Sequence, residues 1–132
     1  MTTRTVVVVS AAIEAATGLA LIANPDLVVN VLLGAGLSGA GVAVGRLGGF
    51  GLLSLGLACW PNREGASARA ISALFTYNLL ATLYLGYLSV GGIFASKVLW
   101  LAFSLHALLA LLLARPAYEA VSAAKAARVN AQ

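Results

Sequence analysis

Charge is nearly absent from this chain. Asp, Glu, Lys and Arg make up 9% of its 132 residues, while 61% are hydrophobic. A soluble domain carries roughly a quarter charged residues, because its core must be covered by a wet surface. The shortage excludes a soluble enzyme, a nucleic-acid binder and a disordered tail. Cysteine is limited to Cys59, which excludes an internal disulfide and a cysteine metal cluster. Histidine is limited to His106, which excludes haem ligation by two histidines of one chain. The apolar runs are continuous rather than alternating in polarity, so a transmembrane β-barrel is excluded too. A polytopic membrane protein forming one domain over residues 1–132 remains.

Four apolar runs, at about 5–23, 39–59, 70–90 and 93–114, reach the roughly 20 residues a helix needs to cross a bilayer. Short connectors make successive helices antiparallel neighbours. The expected fold is all-α: an integral membrane, up-down-up-down four-helix bundle. The first run has the outline of a signal peptide, with Arg4 ahead of an apolar stretch, but Glu14 interrupts that stretch and favours a retained helix.

Two segments lie outside the runs. Asn24-Pro25-Asp26 reads as a helix start: a cap, a proline at the first helical position and an acid in the first turn. The apolar residues that follow are too few to span, which predicts a short interfacial helix over about 25–33, ending at Gly34-Ala35-Gly36. Residues 115–132 are Ala-rich and read as a cytoplasmic tail that extends as a helix.

The net charge of +4 is dispersed and labels topology rather than a phosphate-tracking surface. Arg4, Arg63, Arg69, Arg115, Lys125 and Arg128 fall on one side of the expected membrane, and Lys97 alone on the other. Excess Lys and Arg marks the cytoplasmic face, so both termini are expected there, in a bacterial inner membrane. Trp60, Tyr84, Tyr87 and Trp100 fit interfacial anchors.

Each run carries one strongly polar residue: Glu14, Arg46, Asn78 and His106. Such groups are costly in hydrocarbon and usually face a bundle interior or a wet cavity. Small neighbours at helical spacing support an inward direction, since small residues let helices approach. Glu14 shares a stripe with Ser10, Thr17 and Gly18; Arg46 has Ala43 and Gly49; Asn78 has Thr82 and Gly86; His106 has Ala102 and Ala110. Counting 1.5 Å per residue from the outer helix ends places Arg46 roughly 9 Å deep, Glu14 roughly 13 Å, Asn78 roughly 18 Å and His106 roughly 20 Å. The expectation is an internal polar belt in which Glu14 pairs with Arg46 and Asn78 lies level with His106. The belt is read either as structural glue or as the ligand-binding residues of a small-molecule site.

Other patterns dissolve on inspection. Gly34-Ala35-Gly36-Leu37-Ser38-Gly39 matches a dinucleotide-binding fingerprint but lacks the required strand and downstream acid. Ser38 lies about 20 Å above His106, too far for an activated serine. Gly41, Gly45 and Gly49 repeat at the small-xxx-small spacing of helix contacts, within one bundle or between two.

Pro25, Arg46-Leu47-Gly48-Gly49, Leu55-Gly56, Tyr77-Asn78 and His106 together resemble small four-helix bacterial membrane proteins, loosely the DoxX-like group. The resemblance spans about residues 6–114 and implies a four-helix membrane fold without a common chemistry. The function expected from the residues is non-enzymatic. The chain would hold a lipid-like or quinone-like molecule at the belt, with Arg46 and His106 on its polar head and Glu14 orienting Arg46, or serve as an accessory subunit. A small transporter or proton-coupled carrier using Glu14 or His106 is the alternative. No cofactor is identified. The expected partners are the bilayer, such a ligand, and a second copy or larger membrane complex, with no nucleic acid.

Overall fold

A computed structural model describes residues 1–94 and 96–130. It contains five helices: α1 (Thr3–Ala23), α2 (Pro25–Leu33), α3 (Gly39–Ala58), α4 (Ala68–Val90) and α5 (Lys97–Val129). No strand occurs among the described residues. Helices α1, α3, α4 and α5 are long and apolar enough to cross a membrane. The protein is a multi-pass, all-helical membrane protein.

Local chemistry places the helix starts. The side chains of Thr2, Asn24, Ser67 and Ser96 accept bonds from backbone N–H groups in the first turns of α1, α2, α4 and α5. Such caps satisfy donors that the helix itself leaves free. Asn24 and Pro25 open α2 as expected, and Gly34, with φ at 75°, ends it in the left-handed conformation that glycine adopts without strain. The last span departs from expectation. It begins at Lys97 rather than at residue 93, because Gly91 and Gly92 turn the chain and Ser96 caps the helix later. Lys97 is therefore the first residue of its helix. At the other end α5 runs through Pro116 to Val129, so the tail is helical; residues 131–132 lie outside the described part.

The helices pair unequally. α1 packs along α3, and α4 packs along α5, while α1 joins the two pairs through smaller contacts with α4 and α5. Among the described residues α3 shares no comparable interface with α4 or α5. Glycine explains the first pairing. A Cβ built on Gly18 would lie 2.7 Å from the Gly49 carbonyl oxygen, and one on Gly56 would lie 2.6 Å from the Ala11 carbonyl oxygen. Only hydrogen fits where the α1 and α3 backbones meet, and close backbone approach is the main source of helix attraction in lipid. Gly45 faces Pro25 and Gly41 faces Leu37, so this glycine repeat packs inside the chain.

Packing is also uneven along the membrane axis. The buried apolar core joins Val6, Val7 and Ala11 of α1, Ile71 and Leu74 of α4, and Leu109 and Leu113 of α5. It occupies the half holding the α1 N-terminus. Toward the other end, beside α2, the helices separate around a cavity.

Candidate functional site

The cavity has a volume of about 860 Å³. Each surrounding helix contributes a stripe at helical spacing: Ile13, Thr17 and Leu21 from α1; Leu27, Val28, Val31 and Leu32 from α2; Tyr77, Leu80, Ala81, Tyr84 and Leu85 from α4; Val98, Ala102, Leu105 and His106 from α5. Leu52 of α3 also reaches the wall. Among the described lining residues, only Thr17, Tyr77, Tyr84 and His106 carry polar side-chain groups, and none is Lys or Arg. Ligand sites are usually apolar cavities of roughly 300–1,000 Å³ with a few placed polar groups.

α2 forms one wall of this space. Its C-terminal end is tied to the start of α5 by Ser96, whose Oγ donates to the Val31 carbonyl at 3.1 Å. Its first turn is tied to the following loop by Asp26, whose Oδ1 accepts from the Leu37 N–H at 2.6 Å. The short helix expected from the sequence is therefore a held component of the site.

Beneath the cavity lies a bonded polar chain across three helices. Asn78, fully buried, donates from Nδ2 to Ser10 Oγ at 2.9 Å and to the Leu74 carbonyl at 2.8 Å. A carbonyl can only accept, so the amide orientation is determined and Asn78 Oδ1 is the acceptor. His106 Nδ1 lies 2.9 Å from that oxygen and donates to it. The neutral ring then holds its proton on Nδ1 and keeps Nε2 as a lone-pair acceptor. Tyr77 meets the His106 ring edge-on, with centroids 5.8 Å apart.

Glu14 stands one turn from Ser10 on α1 and is 1% exposed. Both its carboxyl oxygens lack a hydrogen-bond partner among the described residues. The Tyr77 hydroxyl on α4 makes no hydrogen bond to it. Buried polar groups are normally paired, so an unpaired carboxyl beside a cavity calls for a functional reading.

Of the four belt residues, the structure brings Asn78 and His106 together and sets Glu14 beside them. The expected Glu14–Arg46 pair does not form. Arg46 is exposed, and the ion pair found among the described residues is Arg115–Glu119 at 2.8 Å. The reason is geometric. The α3 seam runs through Gly45, Gly49 and Gly56, and Arg46 projects about 80° round the helix from it. Among the described residues α3 packs mainly on α1 and α2, and Arg46 is exposed on the flank beside that seam.

Sequence reasoning passed over Tyr77 and Ser10 as site residues. Tyr77 belongs to the stripe Tyr77, Leu80, Ala81, Tyr84 and Leu85, a helical repeat displaced by one residue from Asn78. Ser10 was visible as a small polar residue on the Glu14 stripe, but its partner on α4 was not. No protein-family model, curated protein or solved structure matches the chain.

Proposed function

We propose that this is a non-enzymatic integral membrane protein that binds a lipid-like or quinone-like amphiphile between α1, α2, α4 and α5. One observation supports this above the rest: an apolar cavity of about 860 Å³ has Tyr77 and His106 in its wall, and the Glu14 carboxyl, unpaired among the described residues, lies on α1 between the wall residues Ile13 and Thr17. The chain of the ligand lies among the Leu and Val stripes, and its head lies against Tyr77 and His106. Arg46 takes no part in this version of the site.

The same proposal includes an up-down-up-down arrangement in a bacterial inner membrane with both termini cytoplasmic, from the Lys and Arg bias. Kinship with DoxX-like proteins belongs with it as a statement about fold. Native mass spectrometry from mild detergent tests the binding reading and reports stoichiometry at once. The wild type is expected to carry an amphiphile that Ala102→Trp, which fills the cavity, does not. Identical bare masses for both proteins would count against ligand binding. A retained protein subunit would favour the accessory role in a larger membrane complex.

The Glu14 carboxyl also supports a second reading, a small proton-coupled carrier in which Glu14 or His106 changes protonation. Flux into liposomes, compared between wild type and Glu14→Gln, separates the two. Equal flux removes the carrier.

A further inference from the structure

We infer that the head group this cavity selects is an uncharged hydrogen-bond donor, a hydroxyl on a long apolar chain, rather than a carboxylate or a phosphate. This rests on the cavity being a ligand site, as proposed above. It follows from which polar atoms are already committed. Asn78 Nδ2 is engaged by Ser10 and Leu74, and Asn78 Oδ1 takes the His106 Nδ1 proton. What His106 keeps for the cavity is Nε2, an acceptor.

The groups nearby point the same way. Glu14 retains at least one lone-pair oxygen whether or not it is ionised, and neither oxygen is satisfied among the described residues. Thr17, Tyr77 and Tyr84 in the wall carry hydroxyls that can donate or accept. No donor reaches His106 Nε2 or the Glu14 carboxyl among the described residues. A ligand hydroxyl supplies the missing donor.

Charge excludes the anionic heads. The lining residues described include no Lys or Arg, and Arg46, the cation that the sequence placed beside Glu14, is outside. A carboxylate or phosphate would enter an apolar space next to a carboxyl group, with no positive charge to meet its desolvation. An ammonium head is a donor, but the described lining residues include no Asp or Glu, so its charge would lose its hydration without an anion in the wall itself.

The test uses the full chain in lipid nanodiscs with four photoreactive probes. They share one hexadecyl chain and diazirine and end in a hydroxyl, a methyl ether, a carboxylate or an ammonium. Adducts are mapped by mass spectrometry to the cavity stripes. The alcohol is expected to label them about tenfold more than the ether, the ratio for one well-made hydrogen bond, and more than either ion. In His106→Phe the alcohol should fall to the level of the ether while labelling by the ether persists, which shows the cavity intact. If that variant does not fold, Tyr77→Phe takes its place, and the wild-type comparison stands without either. Equal labelling by alcohol and ether, or preference for either ion, overturns the head-group assignment and leaves the cavity as a binding site. Absence of cavity labelling by all four probes overturns the binding reading itself, and this inference with it.

Discussion

His106 Nδ1 and Asn78 Oδ1 lie 2.9 Å apart across α4 and α5, and this contact decides which face of the imidazole is left for the cavity. Asn78 is held in turn by Ser10 and by the Leu74 carbonyl. Three helices thus orient one ring. Replacing Asn78 with Leu is expected to destabilise the fold by about 1–3 kcal/mol, the cost of leaving buried partners unsatisfied. A double-mutant cycle with Ser10→Ala, followed by unfolding in mixed micelles, should give a coupling of about 0.6–1.7 kcal/mol, the span for bonds between membrane helices. Strictly additive single effects would contradict a direct Ser10–Asn78 bond.

Gly18 and Gly48 should respond very differently to a side chain. A Cβ on Gly18 runs into the α3 backbone, whereas one on Gly48 meets nothing within 4 Å. Gly18→Val is expected to separate α1 from α3 at a cost of about 1–3 kcal/mol or more, as for overpacked cores. Gly48→Val should leave stability within about 0.5 kcal/mol, as at unconstrained surface sites. Thermal unfolding in detergent distinguishes them, and similar losses for both would show that the seam lies elsewhere.

Glu14 is expected to be a stability cost retained for a purpose. Its two oxygens are buried without partners among the described residues, so Glu14→Leu should leave stability unchanged or raise it, as when a poorly satisfied buried polar group becomes apolar. Ligand retention or flux should fall in the same variant, the usual exchange of stability against function. Destabilisation by about 3 kcal/mol would instead identify a paired charge.

Arg46 provides the converse test. It is exposed on α3, so Arg46→Gln should preserve both the fold and cavity labelling. Removal of one member of a buried pair would cost about 3–5 kcal/mol. A loss of that size on unfolding would restore the Glu14–Arg46 pair.

Asp26 holds the loop after α2 through the Leu37 N–H. Asp26→Ala should speed amide hydrogen exchange across residues 35–38 while leaving α4 and α5 unchanged. Uniform acceleration along the chain would mean that Asp26 supports the whole fold rather than the loop.

Much of this fold was legible because its signals are local. The apolar runs, the Asn24 cap with Pro25, and the stop at Gly34 each depend on residues a few positions apart. The last span was misplaced by four residues because residues 93 and 94 are apolar, and hydropathy does not register the Gly91–Gly92 turn or the Ser96 cap. The polar belt was half legible. Asn78 and His106 could be set level by counting rises per residue, but depth contains no azimuth. Small residues flank Arg46 as they flank Glu14, yet they mark the edge of a seam in one case and a buried face in the other.

The solvent was determined by the sequence alone: with 9% charge, the chain cannot cover a core with water-facing groups, and long apolar runs must be helices because lipid offers the backbone no other partners. Tertiary structure decided which polar residues meet. α3 packs on α1 through glycine and leaves α4 and α5 to each other, so Arg46 turns outward while Asn78 and His106 bond across a separate interface. That outcome depends on rotation about helix axes and on which pairs approach closely. Both are set by backbone-to-backbone fit between segments distant in sequence.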